Sequence, residues 1–328
     1  MKPRLAITMG DVNGIGPEIT VKAFQDPEML AQCRPLIVGS YDALMEYAQK
    51  GDVAASAVRL SEADAGSAWE EDRIGVLEPS GVPPPKVEPA KVVADAGKFA
   101  FACVELAVRL ALDGHLDGIV TCPVNKKAVN LGGYHYAGHT EFLAELCGCD
   151  DYRMMLVADE LRVVHVTTHV ALKDVAEHIT TERVAGTIRL ARQTMERLGV
   201  PHARIAVAAL NPHAGEDGLF GTEEPDEIAP AIEMVREEGP DVTGPVPGDT
   251  AFTRMANGDF DVVVAMYHDQ GHIPLKLVGF NRAVNITLGL PIIRTSVGHG
   301  TAFDIVGKDQ ADPGSLTEAV RLAAVMAT

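Results

Sequence analysis

Three histidines follow apolar runs in the same way. His169 comes after Val163-Val164-His165-Val166-Thr167-Thr168, and His213 comes after Ile205 to Leu210 and then Asn211-Pro212. His268 comes after Val262-Val263-Val264-Ala265-Met266-Tyr267. Each run reads as a buried strand, so each histidine falls just past a strand's C-terminal end, the edge at which open α/β sheets bind ligands. Neutral imidazole is the commonest transition-metal ligand, and three such groups leave coordination positions open for a substrate. A single histidine of this kind is most simply a loop residue satisfied by hydrogen bonds. Three in one context point to a divalent metal site. His165 lies inside its strand and reads as a core or supporting histidine.

A second group is cationic or amide. Lys276, Arg282, Asn285 and Arg294 fall in loops or at strand ends between apolar runs of the last third. Arg282 reads as part of a solvated rim. Lys276 and Arg294 flank strand-like runs and read as pointing into a cleft, where they would supply the positive potential an anionic substrate needs. Gly138-His139-Thr140-Glu141 opens a helix whose free N–H groups favour an anion, with Thr140 as a plain cap the alternative. Gly10-Asp11-Val12-Asn13-Gly14-Ile15-Gly16-Pro17-Glu18 is a glycine turn feeding a helix, and it does not match G-x-G-x-x-G in register. Cys147-Gly148-Cys149 has neither redox nor zinc-finger spacing and reads as a helix end.

The elements that must hold these groups alternate. Strands are expected at Leu5–Met9, Pro35–Gly39, Gly118–Thr121, Arg153–Ala158, Leu161–Thr167, Ala203–Leu210, Asp261–Met266 and Val284–Leu288. Helices are expected from Gly14-Ile15-Gly16-Pro17-Glu18 onward and over Ala94–Asp113, Thr181–Leu198, Asp226–Glu238, Thr250–Asn257 and Leu316–Met326. A hairpin is expected across Asp159-Glu160. Residues 60–93, with five prolines from Pro79 to Pro89, read as loop or short irregular strand. Alternating β and α with short connections predicts α/β layers on a mostly parallel sheet.

The chain has 328 residues, length for about two domains of roughly 150 residues each. Its net charge of −18 repels nucleic acid and anionic membrane, so neither is expected as a partner. The N-terminus carries no signal-like apolar segment, and no apolar run reaches the length of a membrane span. Five scattered cysteines suit a reducing cytoplasm, the expected location.

Read together, these strings resemble the 4-hydroxythreonine-4-phosphate dehydrogenase family of vitamin B6 biosynthesis. The matching strings are Thr8-Met9-Gly10-Asp11 with Gly14-Ile15-Gly16-Pro17-Glu18, Gly138-His139-Thr140-Glu141, Thr167-Thr168-His169, Leu210-Asn211-Pro212-His213-Ala214-Gly215-Glu216, Met266-Tyr267-His268-Asp269-Gln270-Gly271, Val284-Asn285-Ile286-Thr287-Leu288-Gly289 and Arg294-Thr295-Ser296. They span nearly the whole chain in the family's order. The first glycine motif and His299-Gly300-Thr301-Ala302-Phe303-Asp304-Ile305-Val306-Gly307-Lys308 also look like two signatures of the isopropylmalate and isocitrate dehydrogenases.

The resemblance implies a two-domain α/β/α fold of that type, with the active site in the interdomain cleft. Residues 1–126 with about 276–328 would form the cofactor side, and about 127–275 the metal and dimerisation side. It implies a homodimer with a metal site shared across the interface. Carried over by motif, His169, His213 and His268 hold the divalent metal (Zn, Co or Mg). His139, Thr140, Lys276, Asn285 and Arg294 hold a small phosphorylated hydroxy acid. His299, Gly300, Thr301 and Asp304 meet the adenosine end of NAD or NADP, and NAD is expected because Asp304 would repel a 2′-phosphate. The chemistry implied is hydride transfer from the hydroxyl carbon, then decarboxylation of the β-keto acid, with the metal as Lewis acid. Asp249 and Lys276 are the candidates for the general base, Asp249 alternatively being a helix cap.

The chain departs from the family pattern at Val12-Asn13, at Gly298, and over Gly271-His272-Ile273-Pro274-Leu275-Lys276. That last string, with Thr301-Ala302-Phe303-Asp304, looks more like a branch acting on 4-phospho-D-threonate or 4-phospho-D-erythronate. A dihydrodiol-carboxylate dehydrogenase is a further alternative, and a sugar-phosphate binding protein is the non-enzyme one.

Overall fold

The computed structural model of the chain describes residues 2–51, 57–64, 74–136, 138–279 and 282–328. In chain order the first elements are β1 (Arg4–Thr8), α1 (Gly16–Ala23), α2 (Pro27–Gln32), β2 (Arg34–Val38), α3 (Tyr41–Lys50), β3 (Ala57–Leu60), β4 (Ile74–Leu77), α4 (Ala94–Leu112), β5 (Gly118–Thr121), α5 (Lys126–Leu131) and α6 (His139–Leu146). There follow β6 (Arg153–Ala158), β7 (Leu161–His165), α7 (Thr181–Arg197), β8 (Ile205–Ala208), α8 (Ala229–Arg236), β9 (Val242–Val246), α9 (Gly248–Ala256), β10 (Val262–Ala265), α10 (His268–Gly279), β11 (Val284–Leu288), β12 (Arg294–Val297) and α11 (Gly314–Met326). Among the described residues no helix is long and apolar enough to cross a membrane.

The chain divides into two compact units, Met1–Asp150 with Leu290–Thr328, and Asp151–Gly289. The changeovers thus fall at 150/151 and 289/290 rather than near 127 and 276. The reason is local packing. Helices α5 and α6 belong with α4, where Phe101 stacks on Phe142 at 4.5 Å, and β11 pairs antiparallel with β6.

The first unit is a parallel sheet in the order β3-β4-β2-β1-β5-β12. Strand β1 is central, and Leu5, Ala6 and Ile7 are fully buried, which is why its run is continuously apolar. Between β1 and α1 the chain makes a tight turn. Gly10 has φ +73°, and a Cβ there would lie 2.3 Å from the Pro123 carbonyl oxygen, so a side chain is excluded. Asn13, one of the departures from the family pattern, ties this turn to a distant loop. Its Oδ1 accepts from the Glu88 N–H at 2.7 Å and its Nδ2 donates to the Lys91 carbonyl. Val12 beside it is fully buried.

The second unit has the order β11-β6-β7-β10-β8-β9. Strands β6 and β7 form an antiparallel hairpin that turns at Asp159, whereas β7, β10, β8 and β9 run parallel. Strand β10 is wholly buried on both faces, with β7 and β8 as its neighbours. The three strands followed by His169, His268 and His213 are therefore adjacent and parallel, so the chain leaves all three at one edge of this sheet.

Several elements were not anticipated: α2, α3, α5, β3, β9, α10 and β12. Strands β3 and β4 lie in or beside the stretch expected to be loop or irregular strand, of which 65–73 lies outside the described residues. Helix α10 contains Pro274, and its apolar spacing is broken by Gly271, which hid its period. Lys276 is thus in a helix, not in a loop. Strand β12 is hidden by composition, since Arg294, Thr295 and Ser296 are polar and yet buried. Strand β8 is shorter than expected, and a single π-turn over Glu224–Ile228 precedes α8.

Candidate active site

The second unit carries the histidines. His169 is exposed, three residues beyond Val166, and the backbone before it is tied to the neighbouring strand by Val166 N–H to Ala265 carbonyl and Thr167 N–H to Met266 carbonyl bonds. His268 opens α10. The rings of His169 and His268 lie 6.2 Å apart. His213 sits in the turn after β8, with its ring 6.2 Å from Phe220. Among the described residues no three His, Cys, Asp or Glu side chains of the one chain converge to hold a metal ion. The structure therefore brings two of the expected ligands together and does not add His213 to them.

The chemistry of the donors nevertheless suits a cation. His268 Nδ1 is 2.6 Å from Asp269 Oδ1. A carboxylate can only accept, so Nδ1 carries the proton and Nε2 presents its lone pair, the arrangement that fixes metal-binding histidines. Behind it, His272 stacks on His268 at 3.6 Å. His165 Nδ1 faces the Met154 carbonyl, so its Nε2 accepts from His272 Nδ1 at 3.1 Å. Burial pushes His165 down to about 4 and His272 down to about 3, which keeps both rings neutral. His165, expected as a core or supporting histidine, is fully buried.

Lys276 is half-buried on α10, two turns beyond His268, and has no carboxylate partner among the described residues. Asn285, second in β11, is half-buried, and its Oδ1 is shielded with no hydrogen-bond partner among the described residues. Asp249 is exposed in the first turn of α9, where Pro247 occupies the cap position, so the helix-cap alternative does not hold. Arg282 is exposed and lies 3.8 Å from Asp159, a solvated rim as expected.

The first unit holds a cavity of about 180 Å³ lined by Thr121, Lys126, His139, Ser296 and His299 among others. Arg294, the first residue of β12, is only 2% exposed, and its Nη2 donates to Thr121 Oγ1 at 2.7 Å. Burial draws its pKa down to about 9, with Glu141 opposing, so it remains a cation at neutral pH. His139 packs its ring on Phe101 at 5.7 Å. Burial, then the charges of Arg294 and Lys126, push it down to about 3, so it is neutral, and its shielded Nε2 has no partner among the described residues. Thr140 is second in α6, whose cap residue Gly138 makes no side-chain bond, so Thr140 is not the cap.

The loop after β12 is anchored to the glycine turn. The Ile15 N–H donates to the Thr301 carbonyl at 3.1 Å, and a Cβ on Gly14 would lie 2.9 Å from Thr301 Cβ. Gly298, another departure, donates its N–H to Ser315 Oγ. His299 lines the cavity, and Gly300 and Asp304 are exposed along the loop. Sequence reasoning missed Lys126, Thr121 and Ser296. Asn125 and Lys126 carry only the signal of a helix start, where Asn125 accepts from the Ala128 N–H, Thr121 looked like the end of a strand, and Ser296 looked like loop.

Residues 31–323 match the family described as pyridoxal phosphate biosynthetic protein PdxA. A D-threonate 4-phosphate dehydrogenase of Cupriavidus necator is 48% identical over 327 residues, covering 99% of this chain and 98% of the relative. A 4-hydroxythreonine-4-phosphate dehydrogenase of Geobacter metallireducens is 46% identical over 329 residues, covering 99% and 96%. Among solved structures, a 4-hydroxythreonine-4-phosphate dehydrogenase of Klebsiella pneumoniae is 42% identical with a TM-score of 0.87 and full coverage of both chains. A terephthalate 1,2-cis-dihydrodiol dehydrogenase of Burkholderia xenovorans LB400 is 34% identical with a TM-score of 0.71, covering 99% and 98%. A beta-decarboxylating dehydrogenase of Thermococcus kodakarensis, 17% identical with a TM-score of 0.52 and covering 99% and 82%, shares the fold. The chain belongs to the PdxA family, and the α/β fold expected from the sequence is the one observed.

Proposed function

We propose that this member of the PdxA family oxidises a phosphorylated hydroxy acid with NAD or NADP and then decarboxylates it, with 4-hydroxythreonine-4-phosphate as substrate. The observation that carries this reading is the buried Arg294 guanidinium beside a cavity lined by Lys126 and Thr121. A chain of net charge −18 keeps a desolvated cation there, which suits phosphate oxygens.

The reaction balances simply. The hydroxyl carbon gives a hydride to the nicotinamide, and the hydroxyl proton goes to a base. The β-keto acid then loses its carboxyl group as CO2, and the carbon left behind takes up one proton. Arg294, Thr140, Asn285 and Lys276 hold the substrate and its phosphate. His139, being neutral, contributes one hydrogen bond through Nε2 rather than a second positive charge. Lys276 or Asp249 takes the hydroxyl proton, and Lys276 lies half-buried on the helix that starts with His268. His169, His213 and His268 would hold a divalent Zn, Co or Mg ion, which would supply Lewis acidity to the reaction. Asp304, beside His299, Gly300 and Thr301, meets the ribose hydroxyls and favours NAD.

The chain works as a homodimer in which the metal ligands come from both subunits. Supporting this, Ile273, Leu277 and Val278 on α10 are 63%, 85% and 63% exposed, and Leu219 and Phe220 are exposed beside His213. A cytoplasmic enzyme is in keeping with cysteines that form no disulfide among the described residues, of which Cys33, Cys103 and Cys122 are buried.

The 48% identity to a D-threonate 4-phosphate dehydrogenase favours a second reading, with that compound as substrate. The two acids differ in an amino or a hydroxyl group next to the carboxylate. The test is a panel: both phosphorylated acids, 4-phospho-D-erythronate, a dihydrodiol carboxylate and the unphosphorylated analogues, assayed for NADH formation and CO2 release. NADH and CO2 in equal amounts from a phosphorylated acid are expected. Turnover of the unphosphorylated or dihydrodiol compounds alone would reject the reading, and stoichiometric binding without reduction of NAD would favour a sugar-phosphate binder.

A further inference from the structure

The turn that carries His213 is built in the left-handed region. His213, Ala214, Gly215, Glu216 and Asp217 have φ of 54°, 54°, 79°, 43° and 54° in succession. Four of these five residues bear a side chain, whose Cβ crowds the following carbonyl in this conformation, so L-residues normally enter it singly. A run of this kind persists only where its surroundings hold it.

What holds it is Glu224, which is 3% exposed. Its Oε1 accepts from the Asn211 backbone N–H at 2.7 Å, and its Oε2 accepts from Asn211 Nδ2 at 2.9 Å. Asn211 lies two residues before His213. A Cβ on Gly215 would lie 2.7 Å from Glu224 Oε2, so the same carboxylate also sits against the middle of the turn. Glu224 thereby grips the segment on both sides of His213. The exit is closed by the Phe220 N–H to Gly215 carbonyl and Leu219 N–H to Glu216 carbonyl bonds. Among the described residues no cation pairs with Glu224. A buried carboxylate is costly, and simple packing would be served as well by an apolar residue. The hydrogen bonds to Asn211 are what an apolar residue would lose.

We propose that Glu224 is a positioning residue: its carboxylate clamps Asn211 and Gly215 and so maintains the left-handed turn that presents His213. This rests on the reading of His213 as a metal-holding residue. The turn itself is an independent observation.

The test compares the parent, Glu224→Ala, Glu224→Ala with Glu216→Gly, and His213→Ala. Two quantities are read: amide hydrogen exchange over 211–220 in the metal-free protein, and the affinity for zinc or cobalt by chelator competition. Glu224→Ala should speed exchange in this segment and weaken metal binding about 10- to 100-fold, the usual effect of losing a support behind a ligand. Adding Glu216→Gly makes the left-handed turn cheaper and should recover part of both, which a general loss of folding would not. Should Glu224→Ala fail to fold, Glu224→Gln carries the same test. It retains one acceptor but turns an amide toward Asn211 Nδ2, so a smaller change of the same sign is expected. Parent-like exchange in the Glu224 variants overturns the clamp, as does a loss that Glu216→Gly leaves unrecovered. If His213→Ala keeps full metal affinity while Glu224→Ala loosens the turn, the metal reading falls and the clamp stands.

Discussion

Arg294 and His268 each open a regular element, yet their surroundings are opposite. Arg294 is 2% exposed at the start of β12, hydrogen-bonded to Thr121 and beside the neutral His139. The His268 side chain is 37% exposed at the start of α10, and His169 and His213 are exposed too. In the first unit the cation is already dehydrated, and Thr121 is held against it before any ligand arrives. The second unit offers oriented donors on an open edge, and His213 does not join the other two. Pre-formed desolvation suits recognition of a fixed anionic group. Open donors suit a site finished by another ion and another chain.

The largest effect should come from the open side. His213→Ala is expected to lower metal content and turnover together by about two orders of magnitude or more, since a first ligand matters at least as much as the supports behind it. Metal analysis and steady-state rates check this, and diluting the parent until it dissociates should reproduce the metal loss. Normal metal loading in the variant would mean that the second unit completes its site without His213, and the contrast would vanish.

On the closed side, Arg294→Ala should raise KM for a phosphorylated substrate about 10- to 150-fold, from a charged hydrogen bond worth roughly 1.5–3 kcal/mol. An unphosphorylated analogue should lose much less. The ratio of the two KM values is the measurement, because it is insensitive to any loss of folded protein. Equal losses would show that the buried guanidinium supports Thr121 and Glu141 rather than reading phosphate.

The same contrast explains what the sequence made legible. His169, His213 and His268 stood out because strands of buried Val and Ala precede them, and a strand's end is visible as a change in hydropathy. Their shared edge followed from β7, β10 and β8 being adjacent, which no local pattern reveals. Arg294 and Asn285 could be named by their motifs, but the burial of Arg294 could not, since Arg-Thr-Ser-Val has the composition of a loop. Lys126 and Ser296 were missed because they reach the cavity only once β5, α5 and β12 assemble. The helix carrying Lys276 was hidden by its own proline. Left-handed backbone at a residue such as Ala214 or Glu216 leaves no trace in composition at all.

A smaller effect is expected at the cofactor loop. Asp304 is exposed, so its contribution is moderated by solvent. The parent should prefer NAD to NADP, and Asp304→Asn should shrink the ratio of kcat/KM values by about threefold to tenfold, the effect of one partly screened charge. A parent preference for NADP, or an unmoved ratio, would remove Asp304 from cofactor selection and leave the loop's anchoring to Gly14 and Ile15 as its only evident role.

The smallest effect tests whether the first unit really is closed before ligand binding. Asp11 is fully buried in the glycine turn, where its N–H donates to the Pro123 carbonyl beside the cavity. Burial raises its carboxyl from 3.8 to about 6, against the lowering effect of N–H bonds from Asn13 and Asn125. A folded pKa above the unfolded one means that the fold favours the protonated form. Its stabilising contribution is therefore complete below about pH 3.8 and is lost as pH rises through about 6. At pH 7 the ionised group is a net cost, and its Oδ2 is shielded without a hydrogen-bond partner among the described residues. Asp11→Asn keeps the acceptor for the Asn13 N–H and removes the charge. The variant should unfold a few degrees higher than the parent at pH 7, for a gain of about 1–2 kcal/mol. The difference should fade by pH 4, where the parent carboxyl is largely protonated. Thermal unfolding of both proteins across this range is the measurement. A variant less stable at pH 7 would show that the carboxylate is well solvated or paired in solution, and that the first unit is as open around its glycine turn as the second is around its histidines.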